Sequence, residues 1–573
     1  MKKLLLTILC IMSFFVSALA QDGIKRPDSY EYTKGVQAYN DGDYAKSLEY
    51  SEKELQANPK NGYAMVWESG IYLLYKNYDR AFDLVEKALK YLPKKDKFFV
   101  GSAYEERGSI HEYFGNKESA LADYERAFKV DGNDSHLYKV CDIYYAQGKY
   151  AEEGKVIERM MKLNGNNVVT WVYAGRNAFS QNMYDKAMEC YDYAVRLNPK
   201  YSSSFSFRAE LYIAMHRYGE ASDDAITALG INYDGKAYAL LSDIAEEALP
   251  VLTAKLKDKQ QKEPDDGRWS YYLGIVNISQ RKFADAETAF KKAIEIGLHS
   301  DKGNMGILNI TGLALPLYEL GKYSETIDVT TKSVEADSTN VAVWLVLARS
   351  YYETGQMSSA IDALSHGIKV NPEEEILYYW RARMNMYSGA LQSALDDINT
   401  ALNMSGGISS ADLIQRSEIY HRMGKLQEAN ADCDSIISLQ QDLPAYLRND
   451  GDLVNALVRV GQRDKALDAI EKLDKDSVGR GDAYDFACMY SLLDDKQQAL
   501  DFLEKALQSG FCEFVQIGND TDLDNIRGTE RFKQLIEKYK KEYEERVKAA
   551  VDRVHGDSVE KLEDVLLCVR HDA

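Results

Sequence analysis

The chain has 573 residues, 45% hydrophobic, 28% charged and 11% aromatic, which is too much apolar material for a disordered protein. Its formal charge of −20, with no compensating basic block, repels phosphate backbones and anionic headgroups and argues against nucleic acid as a partner. Only 9 prolines, and no Pro/Ser/Gly-rich linker, interrupt a length that would otherwise suggest several domains, so the composition favours a single repeat array.

At the start, Lys2 and Lys3 precede an apolar run from Leu4 to Val16 and the small-residue site Ala18-Leu19-Ala20. This pattern predicts a secretory signal peptide over residues 1–20 and a mature chain beginning at Gln21. Cys10 lies behind Leu9 inside the run, where a lipid-modified cysteine does not belong. The expected product is soluble and exported, periplasmic or secreted. No later stretch approaches the ~20 apolar residues needed to cross a bilayer. The remaining cysteines, Cys141, Cys190, Cys433, Cys488, Cys512 and Cys568, form no CxxC pair and no zinc-ligand spacing. They read mostly as small packed side chains, with Cys488 and Cys512 the pair that a helical hairpin could bring together.

After a short segment, residues 21–28, turn signals recur at a fixed interval. Gly115 and Gly148 are 33 apart, and Gly321, Gly355 and Gly389 follow at steps of 34. Pro59 and Pro93 are also 34 apart, and Asn198-Pro199 and Asn371-Pro372 repeat the ending Asn58-Pro59. Two antiparallel helices of about a dozen residues need a tight turn, which glycine permits at positive φ, and proline marks a helix boundary because it lacks an amide donor. Between turns, small residues let helices approach and aromatics fill the gaps, as in Trp171, Gly175, Tyr184, Ala187, Tyr191, Ala194 and Pro199.

This scheme, repeated from about residue 29 to 513, resembles the tetratricopeptide repeat family, whose pattern is Trp-x2-Leu-Gly-x2-Tyr followed by Ala, Phe/Tyr, Ala and Pro. The resemblance implies an all-α solenoid of antiparallel helical hairpins, a superhelix of about 14 repeats with C-terminal capping helices. The organisation expected is an N-terminal array over 29–234, a degenerate repeat over 235–265, a second array over 266–513, and a cap with amphipathic helices over 514–573.

Three places depart from the pattern. Residues 235–265 keep two helical stretches, Ala237 to Ala248 and Val251 to Lys262, with Leu249-Pro250 in place of the turn glycine; an offset in the superhelix or an ordinary degenerate repeat both fit. Pro316 predicts a kink or a late helix start near 304–318. Carboxylates from Asp520 to Asp524 invite a calcium-loop reading, but Asn525 and Arg531 stand where such a loop needs Gly and Glu. A closing element is expected instead, with Leu523, Ile526, Phe532 and Leu535 covering the last hairpin. Beyond it, 537–554 reads as a charged helix, and Asp557-Ser-Val-Glu560 as a capping box for a last amphipathic helix.

No catalytic or metal constellation is found: HExxH, GxSxG, GxGxxG and a complete phosphate loop are all missing, and no cofactor is implied. The pairs Asp223-Asp224 and Asp396-Asp397 fall on helix faces expected to be exposed. What remains is a binding surface, the inner groove lined by the first helix of each hairpin. The family's ligand-facing positions, carried onto this sequence, are Tyr138, Tyr145, Arg176 and Phe179, then Arg349, Tyr352, Tyr379, Arg383, Met386 and Tyr387. Arg349 and Arg383, 34 apart with aromatics beside them, suit a peptide carboxylate or acidic side chain, or else pair with Glu353 and Glu418. The chain therefore reads as a non-catalytic exported scaffold that binds a protein or peptide, in an envelope-associated complex. A glycan-binding accessory protein is the alternative, suggested by 41 tyrosines against 17 phenylalanines.

Overall fold

A computed structural model of the chain describes residues 24–243, 248–299, 306–406, 409–442, 450–473 and 480–554. The signal-peptide residues, and the capping box and amphipathic run beyond residue 556, lie outside the described residues. Every regular element described is helical. From Tyr30–Asn40 with Tyr44–Ala57 to Arg480–Leu492 with Lys496–Gln508, the described helices come in fourteen consecutive pairs. Two compact units divide the chain between Leu240 and Leu241, within the helix Gly235–Asp243.

The turn within each pair explains the glycine spacing. Gly115, Gly148, Gly321, Gly355 and Gly389 all adopt positive φ, and at the Gly321 turn the amides of Gly321 and Lys322 donate back to the carbonyls of Tyr318 and Leu317. Five pairs without a turn glycine use the same left-handed conformation. Lys76, Asn182, His216, Arg281 and Asp494 hold φ of 55 to 58° there, a geometry that costs an L-residue roughly 1–2 kcal/mol.

Inside each pair the helices are close because one face is small. Ala120 and Ala127, Ala187 and Ala194, and Ala394 and Ala401 are all fully buried. Phe290 packs against two glycines: a Cβ added at Gly274 would stand 2.7 Å from its ring, and one at Gly312, on the next pair, 2.5 Å from the same ring. Dense interiors of this kind leave no space for an added methyl group.

A polar contact repeats as well. Arg107, Arg208, Arg381 and Arg416 on first helices each grip an aspartate 16 residues later on the second helix with two parallel hydrogen bonds: Asp123, Asp224, Asp397 and Asp432. Each also reaches the second helix of the preceding pair, through Glu86, Asp192, Ser365 or Asn399. Asp224 and Asp397 are therefore buried, contrary to the exposed position expected for both, while their neighbours Asp223 and Asp396 do face outward. The bidentate geometry explains why arginine occupies these positions.

Other expectations are corrected locally. In the degenerate repeat the helices are Gly235–Asp243 and Leu249–Lys262, so Leu249-Pro250 forms the first turn of the second helix and is not the turn between them. Proline is tolerated there because that amide has no intrahelical acceptor. The helix Ile307–Glu319 begins in ordinary register, 14 residues before Gly321, and continues through Pro316 in its last turn, so there is no late start. Cys488 and Cys512 are buried thiols not joined in a disulfide: the first lies 3.8 Å from an Asp520 oxygen, the second 3.5 Å from the Tyr323 hydroxyl.

Gly274→Ala is expected to lower stability by about 1–3 kcal/mol through overpacking against Phe290. The loss should shrink in a Phe290→Leu background, and chemical denaturation of the four full-length combinations measures this coupling. Equal losses in both backgrounds would show that the ring is not what glycine accommodates.

Candidate binding site on the inner face of the second unit

Within the second unit, the first helices of successive pairs pack on one another more closely than the second helices do, so they form the inner face. The helices Val341–Glu353, Glu375–Tyr387, Ser410–Arg422 and Asp450–Arg459 contribute to it. After Gln508 the chain turns back across this face as a strap. It consists of residues 511–513, a short helix Phe514–Asn519, a 3-10 turn Thr521–Leu523 and a turn Asp524–Arg527, and it leads into the long helix Glu530–Val554.

The cap forms as expected of a closing element. Leu523, Ile526, Phe532 and Leu535 are buried in one cluster with Ala487, Leu503 and Leu507 of the last pair. Tyr539 of the long helix joins the same cluster, and the hydroxyl of Tyr543 donates to the carbonyl of Gly321.

On the way to the cap, the strap bonds to several of the inner helices. Glu513 accepts from Arg349 Nη2 and from the Tyr318 hydroxyl, both at 2.8 Å. The Arg349 guanidinium stacks over the rings of Tyr318 and Trp380, at 4.4 and 4.9 Å from their centroids. The backbone amide of Val515 donates to Glu353 at 3.3 Å, and Asn519 donates to the Tyr352 hydroxyl at 3.2 Å. Thr521 lies against Glu418 and Arg422, Asp520 accepts from Tyr484 at 2.8 Å, and Asp522 accepts from Arg459 Nη2 through both oxygens at 2.8 and 2.9 Å.

Arg349 is therefore paired, but with Glu513 and not with Glu353, and Glu418 pairs with Arg422 at 2.7 Å and not with Arg383. Tyr352 is buried and stacks on Tyr387 with centroids 5.7 Å apart. Tyr379, Arg383, Met386 and Tyr387 come together on the wall of a cavity of about 610 Å³, whose other walls include Gln415, Phe486 and Met489 and the strap residues Gln516, Asp520 and Asp522. Sequence reasoning missed Glu513, Gln415, Arg459, Tyr484 and the strap carboxylates. No local signal marks Glu513 and the strap carboxylates as part of the site, because they join it only when the chain returns across the first helices that carry Gln415, Arg459 and Tyr484.

The first unit treats its expected groove residues differently. Arg176 lies between the rings of Tyr145 and Tyr173, at 4.1 and 4.3 Å, and pairs with Asp142 and Glu153, both at 2.8 Å. Tyr138 bonds Thr170 at 3.0 Å, and Phe179 packs near Tyr184. The contacts of Arg176 with Asp142 and Glu153, and of Tyr138 with Thr170, link successive repeats, and the two carboxylates neutralise the arginine.

Cys488, Asp520 and Asp522 place potential ligand atoms within 4.8 Å of one another. Arg459 already supplies the cation there, and the Tyr484 hydroxyl and the Cys488 thiol point at Asp520. The trio is thus accounted for as an internal charge network. Burial pushes the Asp522 carboxyl up to about 7, with Asp520 adding to the effect and Arg459 opposing it.

Sequence models of the tetratricopeptide repeat match residues 101–134, 235–297 and 317–383. A TPR repeat-containing protein of Methanocaldococcus jannaschii is 23% identical over 362 residues, 56% of this chain and 60% of that protein. The photosystem I assembly protein Ycf3 of Synechococcus sp. (strain WH7803) is 30% identical over 126 residues, 21% of this chain and 73% of that protein. Among solved structures, yeast Tom70 is similar over 82% of this chain and 99% of its own, at 14% identity and a TM-score of 0.37. The chain thus spans only 60% of the length of the archaeal relative.

The strap makes the second unit sensitive to pH. Burial, together with the charge of Glu513, pushes the Glu353 carboxyl from its ordinary 4.5 up to about 8, against the Val515 amide and Arg349. Between those values the folded chain keeps a proton that the unfolded chain releases, so stability falls as pH rises through the window. Glu353→Gln should flatten the decline in Tm between pH 5 and 9 by a few degrees, leaving the part that Asp522 contributes in the same direction. Parallel curves for the two proteins would exclude Glu353 as a source.

Proposed function

Because the chain belongs to the tetratricopeptide repeat family, we propose that it is a non-catalytic scaffold that binds a protein or peptide segment along the inner face of its repeats, as an exported component of an envelope-associated complex. One observation carries the reading: the inner face of the second unit already holds a non-repeat polypeptide segment, residues 511–522, through side chains of five first helices, those that carry Tyr318, Arg349, Glu418, Arg459 and Tyr484. A surface that meets both backbone and side chains of an irregular segment suits an extended partner, since long concave sites gain affinity from many modest contacts. The residues assigned to the partner are Tyr379, Arg383, Met386 and Tyr387 around the cavity, with Tyr352 behind them. In the first unit they are Tyr138, Tyr145, Arg176 and Phe179.

Export rests on the pattern from Lys2 to Ala20, and no described helix is long and apolar enough to cross a membrane. The tyrosine excess behind the glycan alternative is largely a packing feature. Tyr124, Tyr191 and Tyr272 are among the largest fully buried side chains, and Tyr78 stacks on Tyr113.

Two measurements check the proposal. Mass spectrometry of the protein from its native host should find an N-terminal peptide starting at Gln21; one starting at Met1 would count against export. The tagged full-length chain should retain a discrete set of co-purifying proteins, and a variant with Tyr379→Ala and Tyr387→Ala, matched in helicity, should lose most of them. Equal capture by both would rule out the inner face, and no capture by either would rule out the scaffold.

A further inference from the structure

The inner-face arginines of the second unit differ in one respect. Arg349 holds Glu513, Arg459 holds Asp522 and Arg422 holds Glu418. Arg383 stands one repeat from Arg349 and shares the Trp380 ring with it, at 5.4 Å from the centroid. No carboxylate of the described residues reaches it within ion-pair distance: its hydrogen bond runs from Nε to the Tyr387 hydroxyl at 3.3 Å, and the Tyr387 ring lies 5.7 Å away. The acid that acts on it from a distance, Asp520, is engaged by Tyr484 and Cys488.

A guanidinium set among aromatic rings has lost much of its water and gains strongly from a carboxylate partner. The wall beside it is also incomplete. Gln415 is only 4% exposed and donates to the Tyr379 carbonyl at 3.1 Å, while its Oε1 has no partner. Both residues line the same cavity of about 610 Å³, which has room for a side chain with adjoining backbone.

On the reading that this face binds a polypeptide, we propose that Arg383 is the recognition point for an aspartate or glutamate side chain of the partner segment. The chain itself supplies the precedent: Glu513 lies on Arg349 with aromatic rings flanking the guanidinium, and Arg383 offers the same arrangement, framed by Trp380 and Tyr387, to a carboxylate from outside. Asp452 and Asp485 also line the cavity, and the chain is strongly acidic overall, so the fitting segment carries one acidic residue among apolar or basic neighbours. A polyacidic run would be repelled.

The test begins with a displayed library of random nonapeptides selected on the full-length chain, followed by synthetic C-terminally amidated copies of the enriched sequences measured by fluorescence anisotropy. Enriched peptides are expected to share one Asp or Glu. Its replacement by Asn or Gln should weaken binding at least about tenfold on the native chain, and less than about twofold on Arg383→Gln, the signature of a coupled pair. Arg383→Lys, which keeps the charge and loses the planar fork, should fall between them and serves as the comparison if Arg383→Gln does not fold.

The same replacement penalty on native chain and variant would overturn the assignment to Arg383. So would enriched peptides lacking an acidic residue, or binding that survives only with a free C-terminal carboxylate. Peptides that bind equally to the Tyr379→Ala, Tyr387→Ala variant would instead refute the inner-face reading on which the proposal rests.

Discussion

Each helix pair exposes an apolar face that it cannot bury alone, and the rest of the molecule answers that constraint. Within a pair, alanines and glycines on one helix admit aromatic side chains from the other, as Gly274 admits Phe290. Between pairs, the same surface is covered by the next repeat. Stacking passes the problem along the chain, and the last pair has no successor. The chain resolves it by folding back, with Leu523, Ile526, Phe532 and Leu535 closing the exposed end.

That closure shapes the inner face. To reach the end of the array, residues 511–522 cross the inner helices and bond to their side chains. A structural requirement of the terminus and an occupied part of the groove are therefore the same feature. The free part of the face is the cavity around Arg383, whose outer wall is the strap itself.

Charge follows a consistent rule in a chain that is acidic overall. Arginines between helices are neutralised by carboxylates at close range, either 16 residues on, as in Arg381 with Asp397, or across repeats, as in Arg176 with Asp142. Removing water from a guanidinium is costly unless a carboxylate with good geometry replaces it. The rule locks each repeat to its neighbours, and it makes Arg383, held only by a tyrosine hydroxyl and ring contacts, stand out on the inner face.

By itself, the sequence determined the repeat, the hairpin and the positions that face inward, because these depend on contacts within about 34 residues and leave a periodic record in Gly115, Ala120, Tyr124 and their equivalents. The closing element was also legible, through the resemblance of the stretch with Leu523, Ile526, Phe532 and Leu535 to the element that follows such arrays. Even within that range some signals failed: Asp224 and Asp397 look like surface acids until the arginine 16 residues earlier is seen to turn toward them. Only the tertiary structure decided which inner residues are engaged by the chain's own strap. The contact of Arg349 with Glu513 joins residues 164 apart, and no periodicity records where a non-repeating segment will lie once it turns back. Arg349 and Arg383 occupy equivalent positions in the repeat, and it is the path of the strap that gives a carboxylate to one and leaves the other facing the cavity.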